Sequence, residues 1–198
     1  MKPTSRASIA CALSLFTLTA AHANDTFSIG GVFGLSYTSG GDEIDNLRYV
    51  NGTSQSIKAG GQYNFKLGGE ARLKEYPFQA QATVNYHYNS DSASNAEADF
   101  TRVPLELIGY YNFDRKWRVG LGLRYVVSTK YTFKFQNDPK LSFDFEPSVG
   151  YLVEGEYFFS KLMSVSARYV QQDVPWKYQG RSGKISGDHV GVGFNIYW

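Results

Sequence analysis

The sequence predicts an all-β protein, a closed eight-stranded antiparallel transmembrane β-barrel. Three observations lead there. Apolar and polar residues alternate along eight segments, the connections between segments are alternately long and short, and aromatic residues gather at the ends of the apolar faces. A period of two marks a strand with one greasy side, because successive side chains leave the backbone on opposite faces.

The first segment sets Phe27, Ile29, Phe33, Leu35 and Tyr37 against Ser28, Gly30, Val32, Gly34 and Ser36. The second sets Ile57, Ala59, Gly61, Tyr63 and Phe65 against Lys58, Gly60, Gln62 and Asn64. In the third, Phe78, Ala80, Ala82, Val84, Tyr86 and Tyr88 oppose Gln79, Gln81, Thr83, Asn85 and His87. The fourth places Val103, Leu105, Leu107, Gly109 and Tyr111 opposite Arg102, Pro104, Glu106, Ile108 and Tyr110. The fifth places Trp117, Val119, Leu121, Leu123, Tyr125 and Val127 opposite Arg118, Gly120, Gly122, Arg124, Val126 and Ser128. A sixth runs Phe143, Phe145, Val149, Tyr151, Val153 and Tyr157 against Asp144, Glu146, Ser148, Gly150, Glu154 and Glu156. The seventh is shorter, with Val165, Ala167 and Tyr169 against Ser166, Arg168 and Val170. The eighth is HVGVGFNIYW, with Val190, Val192, Phe194, Ile196 and Trp198 on one face.

Connections follow a rule of their own. TSGGDEIDNLRYVNG, SDSASNAEAD, FQNDPK with its flanks and QDVPWKYQGRSG are long, polar and rich in turn formers, whereas FDRK and FSKL are short. Long loops on one side and short turns on the other suit a barrel of the outer-membrane kind. The stretch KLGGEARLKEYP, from Lys66 to Pro77, has two readings: it extends strand two, or it forms a longer turn.

Alternation alone does not say which face meets lipid. The apolar face is read as outward because Tyr37, Phe65, Phe78, Tyr88, Tyr111, Trp117, Tyr157, Tyr169 and Trp198 cluster at its ends, as two interfacial girdles require. The opposite face is crowded with Gly and Ser, which suits a narrow interior, and segments of about 10 residues suffice to cross at a tilt. No water reaches the hydrocarbon to satisfy an open edge, so the first segment is expected to pair with the last.

Compartment follows from the N-terminus. Lys2 and Arg6, an apolar run from Ile9 to Leu18, and Ala21-His22-Ala23 have the layout of a secretory signal peptide, so residues 1–23 are expected to be removed and 24–198 to form the barrel domain. The one cysteine, Cys11, lies within that signal, leaving no disulfide or thiolate metal site. His87 and His189 make no spaced metal motif, and neither metal nor cofactor is expected. The chain has 20 Lys+Arg and 18 Asp+Glu; without Lys2 and Arg6 the balance is neutral, and no nucleic-acid partner is implied.

From FSIGGVFGLSY to GVGFNIYW, the alternation, the loop asymmetry and the closing strand resemble the small outer-membrane β-barrels that include OmpX, the OmpA membrane domain, the opacity proteins and OmpW. That resemblance implies a monomer in the Gram-negative outer membrane, exported through the periplasm and in contact with membrane lipid and lipopolysaccharide. It also implies that Phe194, Ile196 and Trp198 form the terminal signal read by the barrel-assembly machinery. Phe is the usual last residue in that family; here it is Trp198.

Inward charges are the first candidates for function: Lys58, Arg102, Glu106, Arg118, Arg124, Glu146, Glu154, Glu156 and Arg168. An eight-stranded interior is only just wide enough for side chains. These charges are therefore expected to form a plug, with Glu106, Glu154 and Glu156 matched to arginines, because an unpaired buried ion costs several kcal/mol. The alternative is an ion path, and the likeness to OmpW implies a narrow channel for small solutes. A third reading is a lipid-modifying enzyme in which His87, with Ser90 and Asp91, activates a hydroxyl at the membrane edge. His189, beside Asp188, reads as an interior histidine.

The expected surface function lies in the loops. The first two carry Asp42, Glu43, Asp45, Asp91, Glu97 and Asp99; the last two carry Lys130, Lys134, Lys140, Lys177 and Arg181, which could face lipid phosphates. Trp176 and Tyr178, beside Val174 and Pro175, are candidates for binding, or for packing on their own rim. Asn51-Gly52-Thr53 reads as a turn rather than a glycosylation site.

Overall fold

The computed structural model describes residues 26–48, 54–92, 96–135, 139–178 and 180–198. Residues 1–23 and Asn51-Gly52-Thr53, expected to form a turn, lie outside them. In chain order the strands are β1 (Phe27–Gly40), β2 (Glu43–Arg48), β3 (Ser54–Lys58), β4 (Gln62–Leu73), β5 (Phe78–Ser92) and β6 (Ala96–Asn112). They continue with β7 (Trp117–Phe135), β8 (Leu141–Phe145), β9 (Ser148–Phe158), β10 (Met163–Tyr178), β11 (Arg181–Ser186) and β12 (His189–Tyr197).

Eight of these strands close a ring in the order β1, β4, β5, β6, β7, β9, β10, β12 and back to β1, antiparallel throughout. The seam is formed by the first and last strands, from Val32 opposite Tyr197 to Gly40 opposite His189. Closure leaves no unpaired strand edge inside the membrane, which the absence of water there demands.

The ring is inverted relative to a soluble core. Ile29, Leu121 and Val192 are 70%, 69% and 63% exposed on the outer wall, while Arg124 and Glu154 are 0% and 1% exposed inside. Aromatic pairs ring the short-turn end, among them Trp117–Tyr157 at 4.7 Å and Phe78–Tyr111 at 5.6 Å between ring centroids. Tyr37–Tyr63, at 5.7 Å, belongs to the opposite girdle.

At that opposite end the long connections differ from the loops expected of them. β6 has 17 residues and β7 has 19, well beyond the roughly 10 that span a bilayer, and their ladder runs on to Ala96 opposite Phe135. β8 pairs with the end of β7, and β11 with the end of β10. β2 and β3 form a separate hairpin. A turn-forming composition does not prevent a strand when a neighbour is already present to pair with its backbone groups.

Strand two is where the expected phase fails. Ile57 and Ala59 are fully buried and Lys58 is exposed, whereas Tyr63 and Phe65 face outward and Asn64 and Lys66 face in. The run breaks at Gly60-Gly61-Gln62, with Gln62 in the left-handed region at φ 68°. Beyond the break β4 continues to Leu73, so the Lys66–Pro77 stretch is strand first and a turn only from Lys74. Lys58 is therefore outside the barrel interior.

Two further placements change. Val103 pairs with Ser128 but Pro104 with Val126, so Val127 bulges from β7 and Ser128 faces outward instead of in. Pro104 has no N–H to offer the ladder, which suits a bulge. Glu146 lies between β8 and β9, half-buried at the rim, where it pairs with Lys177 at 2.8 Å. It belongs to the rim and not to the interior charges.

Candidate functional site

The interior charges follow from strand register. Glu106 lies opposite Arg124, Arg118 opposite Glu156, Arg168 opposite Glu154, and His87 opposite Arg102, each a direct cross-strand neighbour. Such pairs are the unit of sheet stabilisation. Here they also point into the lumen, so a second set of bonds can cross it.

Nearest the short turns, Arg118 is the hub. Its Nε donates to Glu156 Oε2 at 2.6 Å, and its guanidinium reaches Glu70 at 3.1 Å, the Tyr197 hydroxyl at 2.6 Å and the Gln79 amide oxygen. The Tyr110 ring lies 4.0 Å beneath that guanidinium, a cation–π contact. Glu156 also accepts from Tyr197 Oη at 2.5 Å, from Asn195 at 2.8 Å and from the Ser164 hydroxyl.

One layer further out, Glu154 accepts from Arg168 Nε at 2.8 Å, from Tyr110 Oη at 2.5 Å and from Lys66 Nζ at 3.3 Å. Glu106 accepts from Arg124 at 2.5 Å and, across the lumen, from Arg168 at 3.0 Å. The gap bounded by Lys66, Glu154, Arg168 and Asn195 is too small to admit a water molecule.

At the outer end Arg102 and Arg124 both donate to Nδ1 of His87, at 2.6 and 3.3 Å. Above them sits an apolar cap. Ile57 and Ala59 of the β2–β3 arm pack with Ala98, Phe100 and Tyr131, flanked by Ile44, Phe133, Phe145 and Ile185. The phase break at Gly60-Gly61 turns that arm inward over the lumen.

Seven of the nine charges expected inside are there; Lys58 and Glu146 are not. Lys66 and Glu70 belong to the network but are absent from the sequence-based set, because strand two was read only as far as Phe65 and the Lys66–Pro77 stretch was left between a strand and a longer turn. Continuing the inward face in twos from Asn64 along β4 reaches both. Tyr110 and Tyr197 lie on the expected inward faces, and their phenols serve the two glutamates.

His87 and Ser90 are not brought together. They sit three residues apart on one strand, with His87 1% exposed in the lumen and held by two arginines. An odd separation puts neighbours on opposite faces. Ser90 bonds instead through its backbone to both ends of the Gln62 amide. Among the described residues no group of three or more His, Cys, Asp or Glu is placed to hold a metal.

Rim charges are partly neutralised at home. Lys177 pairs with Glu146, Lys184 with Asp173 at 3.0 Å, and Lys130 with Asp144 at 3.9 Å. Trp176 packs its indole across Gly183 of the facing strand, where a Cβ would come within 2.7 Å of the ring. Tyr178 pairs with Arg181 through its backbone, and its side chain lies outside the described set. Phe194, Ile196 and Trp198 face outward, and Trp198 bonds Gly31 at 2.8 and 3.2 Å through their backbones.

At the short-turn end Asp114 folds back on its own turn. Its carboxylate accepts from the N–H groups of Lys116 at 2.6 Å and Trp117 at 2.8 Å. Those two bonds favour the charged form and hold the carboxyl below its ordinary range.

A closed ring with an apolar outer wall, two aromatic girdles and an ion-paired lumen defines a small membrane-spanning barrel of the outer-membrane class. Residues 8–197 match the outer membrane protein beta-barrel domain, and the chain belongs to that family. Among solved structures it is similar to Ail, the attachment invasion locus protein of Yersinia pestis, at 11% identity over 87% of this chain and 97% of that one, TM-score 0.49. It is also similar to Neisserial surface protein A, at 10% identity over 86% and 96%, TM-score 0.47. For OprG from Pseudomonas aeruginosa the values are 12% identity over 86% and 95%, TM-score 0.44. No curated protein matches the chain.

Proposed function

We propose that this chain is a non-conducting, non-enzymatic envelope protein whose lumen is a structural plug and whose working surface is the β extension at the long-loop end. Its place is the Gram-negative outer membrane, reached through the periplasm as a monomer after loss of residues 1–23. Outer-membrane lipid and lipopolysaccharide surround it. Phe194, Ile196 and Trp198 are the terminal segment offered to the barrel-assembly machinery.

The observation that carries the plug reading is the pair of carboxylates bonded across the lumen. Glu106 on β6 and Glu154 on β9 share Arg168 of β10, and Glu154 also takes Lys66 of β4. A solute could pass only by parting these pairs, and leaving a buried charge unpaired costs about 3–5 kcal/mol. The surface reading draws on the Trp176 hairpin, with Arg181 exposed at its turn, and on the exposed Lys140 ahead of β8.

Single-channel recording of the refolded chain in a planar bilayer tests the plug, with Glu106→Ala and Arg124→Ala alongside. Inserted protein without discrete openings is the expected result. Stable openings altered by either substitution would assign the charges to a solute path instead.

A further inference from the structure

We propose that the outer end of the plug is a binding site for one small monovalent anion, of the halide class, held by Arg102 and Arg124 beneath the apolar cap. The inference stands apart from the surface reading, since it concerns what completes the lumen.

The charge balance of the interior motivates it. The cations facing the lumen are Lys66, Arg102, Arg118, Arg124 and Arg168, and the acids bonded to them are Glu70, Glu106, Glu154 and Glu156. Every one of these cations except Arg102 has a carboxylate partner among the described residues. Among these bonded groups the charge of Arg102 is left over; Asp91, the further buried acid on the inward face of β5, lies four residues beyond His87 at the level of the apolar cap, opposite Ala98. The Arg102 charge lies on a side chain 1% exposed, in surroundings where an uncompensated ion is strongly disfavoured.

What Arg102 does touch cannot compensate it. Its guanidinium donates to the amide oxygen of Gln172 at 3.5 Å and to His87 Nδ1 at 2.6 Å. Arg124 donates to the same nitrogen at 3.3 Å. A guanidinium has no lone pair to give, so Nδ1 must be the acceptor, and the His87 ring is neutral with its proton on Nε2. That proton faces Gly61 O at 3.0 Å and Thr38 Oγ1 at 2.9 Å. Two cations thus converge on a neutral ring.

Buried donors remain that the protein does not satisfy. Nε of Arg102 and Nε of Arg124 are both buried without a hydrogen-bond partner in the protein. His189 lies 5.2 Å from His87 between ring centroids, and its Nδ1 donates to Gly187 O at 2.7 Å. Asp188, the nearest acid in sequence to that ring, directs one oxygen to the Gln172 N–H at 2.7 Å. A water molecule would accept from the Nε–H groups but would leave the charge in place; an anion answers both needs. A phosphate is too large for an interior only just wide enough for its own side chains.

The cap explains how the ion would stay. Phe100 holds the Arg102 guanidinium 5.7 Å from its ring centroid and belongs to the apolar cluster above it. Exchange with solvent would be slow, so the ion should be enclosed as the barrel folds.

The test is to refold the mature chain in detergent at one ionic strength with sodium chloride, sodium bromide or sodium gluconate, and to follow thermal unfolding by tryptophan fluorescence. The midpoint should be higher by roughly 5–10 °C in chloride or bromide at a hundred times the dissociation constant. Arg102→Gln should remove the difference, and Lys177→Gln at the rim should keep it. Bromide-grown crystals of the unaltered chain should show an anomalous peak beside Arg102, which keeps the test alive should the variant fail to refold. Equal midpoints in halide and gluconate, a halide effect that survives Arg102→Gln, or bromide crystals without that peak would each overturn the site.

Discussion

Replacing Glu106 by Gln probes the plug at a carboxylate shared by two arginines. Oε1 accepts from Arg124 at 2.5 Å and Oε2 from Arg168 at 3.0 Å, so the substitution keeps the shape and removes the charge from two bonded arginines at once. Arg168 retains Glu154, but Arg124 is left with only His87. Removing one partner of a buried pair costs about 3–5 kcal/mol. With a second cation also weakened, the expected loss is about 4 kcal/mol, or roughly 8–16 °C in midpoint at about 2–4 °C per kcal/mol for a chain of this size. The assay is the heat-dependent gel mobility of the refolded barrel in detergent. Glu106→Gln with Arg124→Gln supplies the control, because the double variant buries no new unpaired charge at that pair. It should lose about 2 kcal/mol less than the two single variants together. A Glu106→Gln barrel that melts within about 2 °C of the unaltered chain, or strict additivity in the double variant, would refute the claim that paired charges hold the lumen.

Gly31 tests the seam: a Cβ there would come within 2.2 Å of the Trp198 indole, so Gly31→Val should lower refolding yield, and adding Trp198→Ala should restore it. Full recovery in the double variant, read as the unboiled gel band, separates this clash from a general effect of valine. At Asp114 the folded carboxyl is held below its ordinary value of 3.8, so its contribution to the turn is present above that value and is lost as pH falls through the lower folded one. Protection of the Lys116 and Trp117 amides, measured as exchange relative to the unstructured rate at the same pH, should therefore fall on acidification, and Asp114→Ala should abolish it at every pH.

Most of the wall was legible because lipid enforces strict alternation. Phe78 to Tyr88 and Val190 to Trp198 face outward as their period requires, and the short FDRK and FSKL turns fall between β6 and β7 and between β9 and β10. Pairing of the first and last strands followed from backbone chemistry alone. Two of the failures share one cause, which is that a period of two carries no information about a single inserted residue; Glu146 fell instead in the gap between β8 and β9. One unopposed residue at Val127 sent Ser128 outward, and the break at Gly60-Gly61-Gln62 misassigned Ile57, Ala59 and Lys58 together; Lys66 and Glu70 were missed for another reason, since β4 runs on to Leu73 where the glycine-rich composition also suited a turn. A slip of one residue reverses every side chain beyond it.

That same break accounts for the cap. Had the outward phase of Tyr63 and Phe65 run back unbroken, Ile57 would have faced away from the lumen axis and left Phe100 and Tyr131 uncovered above Arg102. Gly60 admits the arm where a side chain could not, since a Cβ there would lie 2.7 Å from Cβ of His189. Asp42 then ties the base of the arm to the neighbouring β11–β12 connection beside the seam, its N–H donating to Ser186 O and its carboxylate accepting from the Ser186 N–H, both at 2.7 Å. A bulky residue at Gly60 should therefore lift the β2–β3 arm and expose the apolar cluster, while the paired carboxylates below it, set by the register of β6, β7, β9 and β10, stay in place. Lumen and surface are thus separable: the parity of the spanning strands builds the plug, and one interruption of that parity builds the roof.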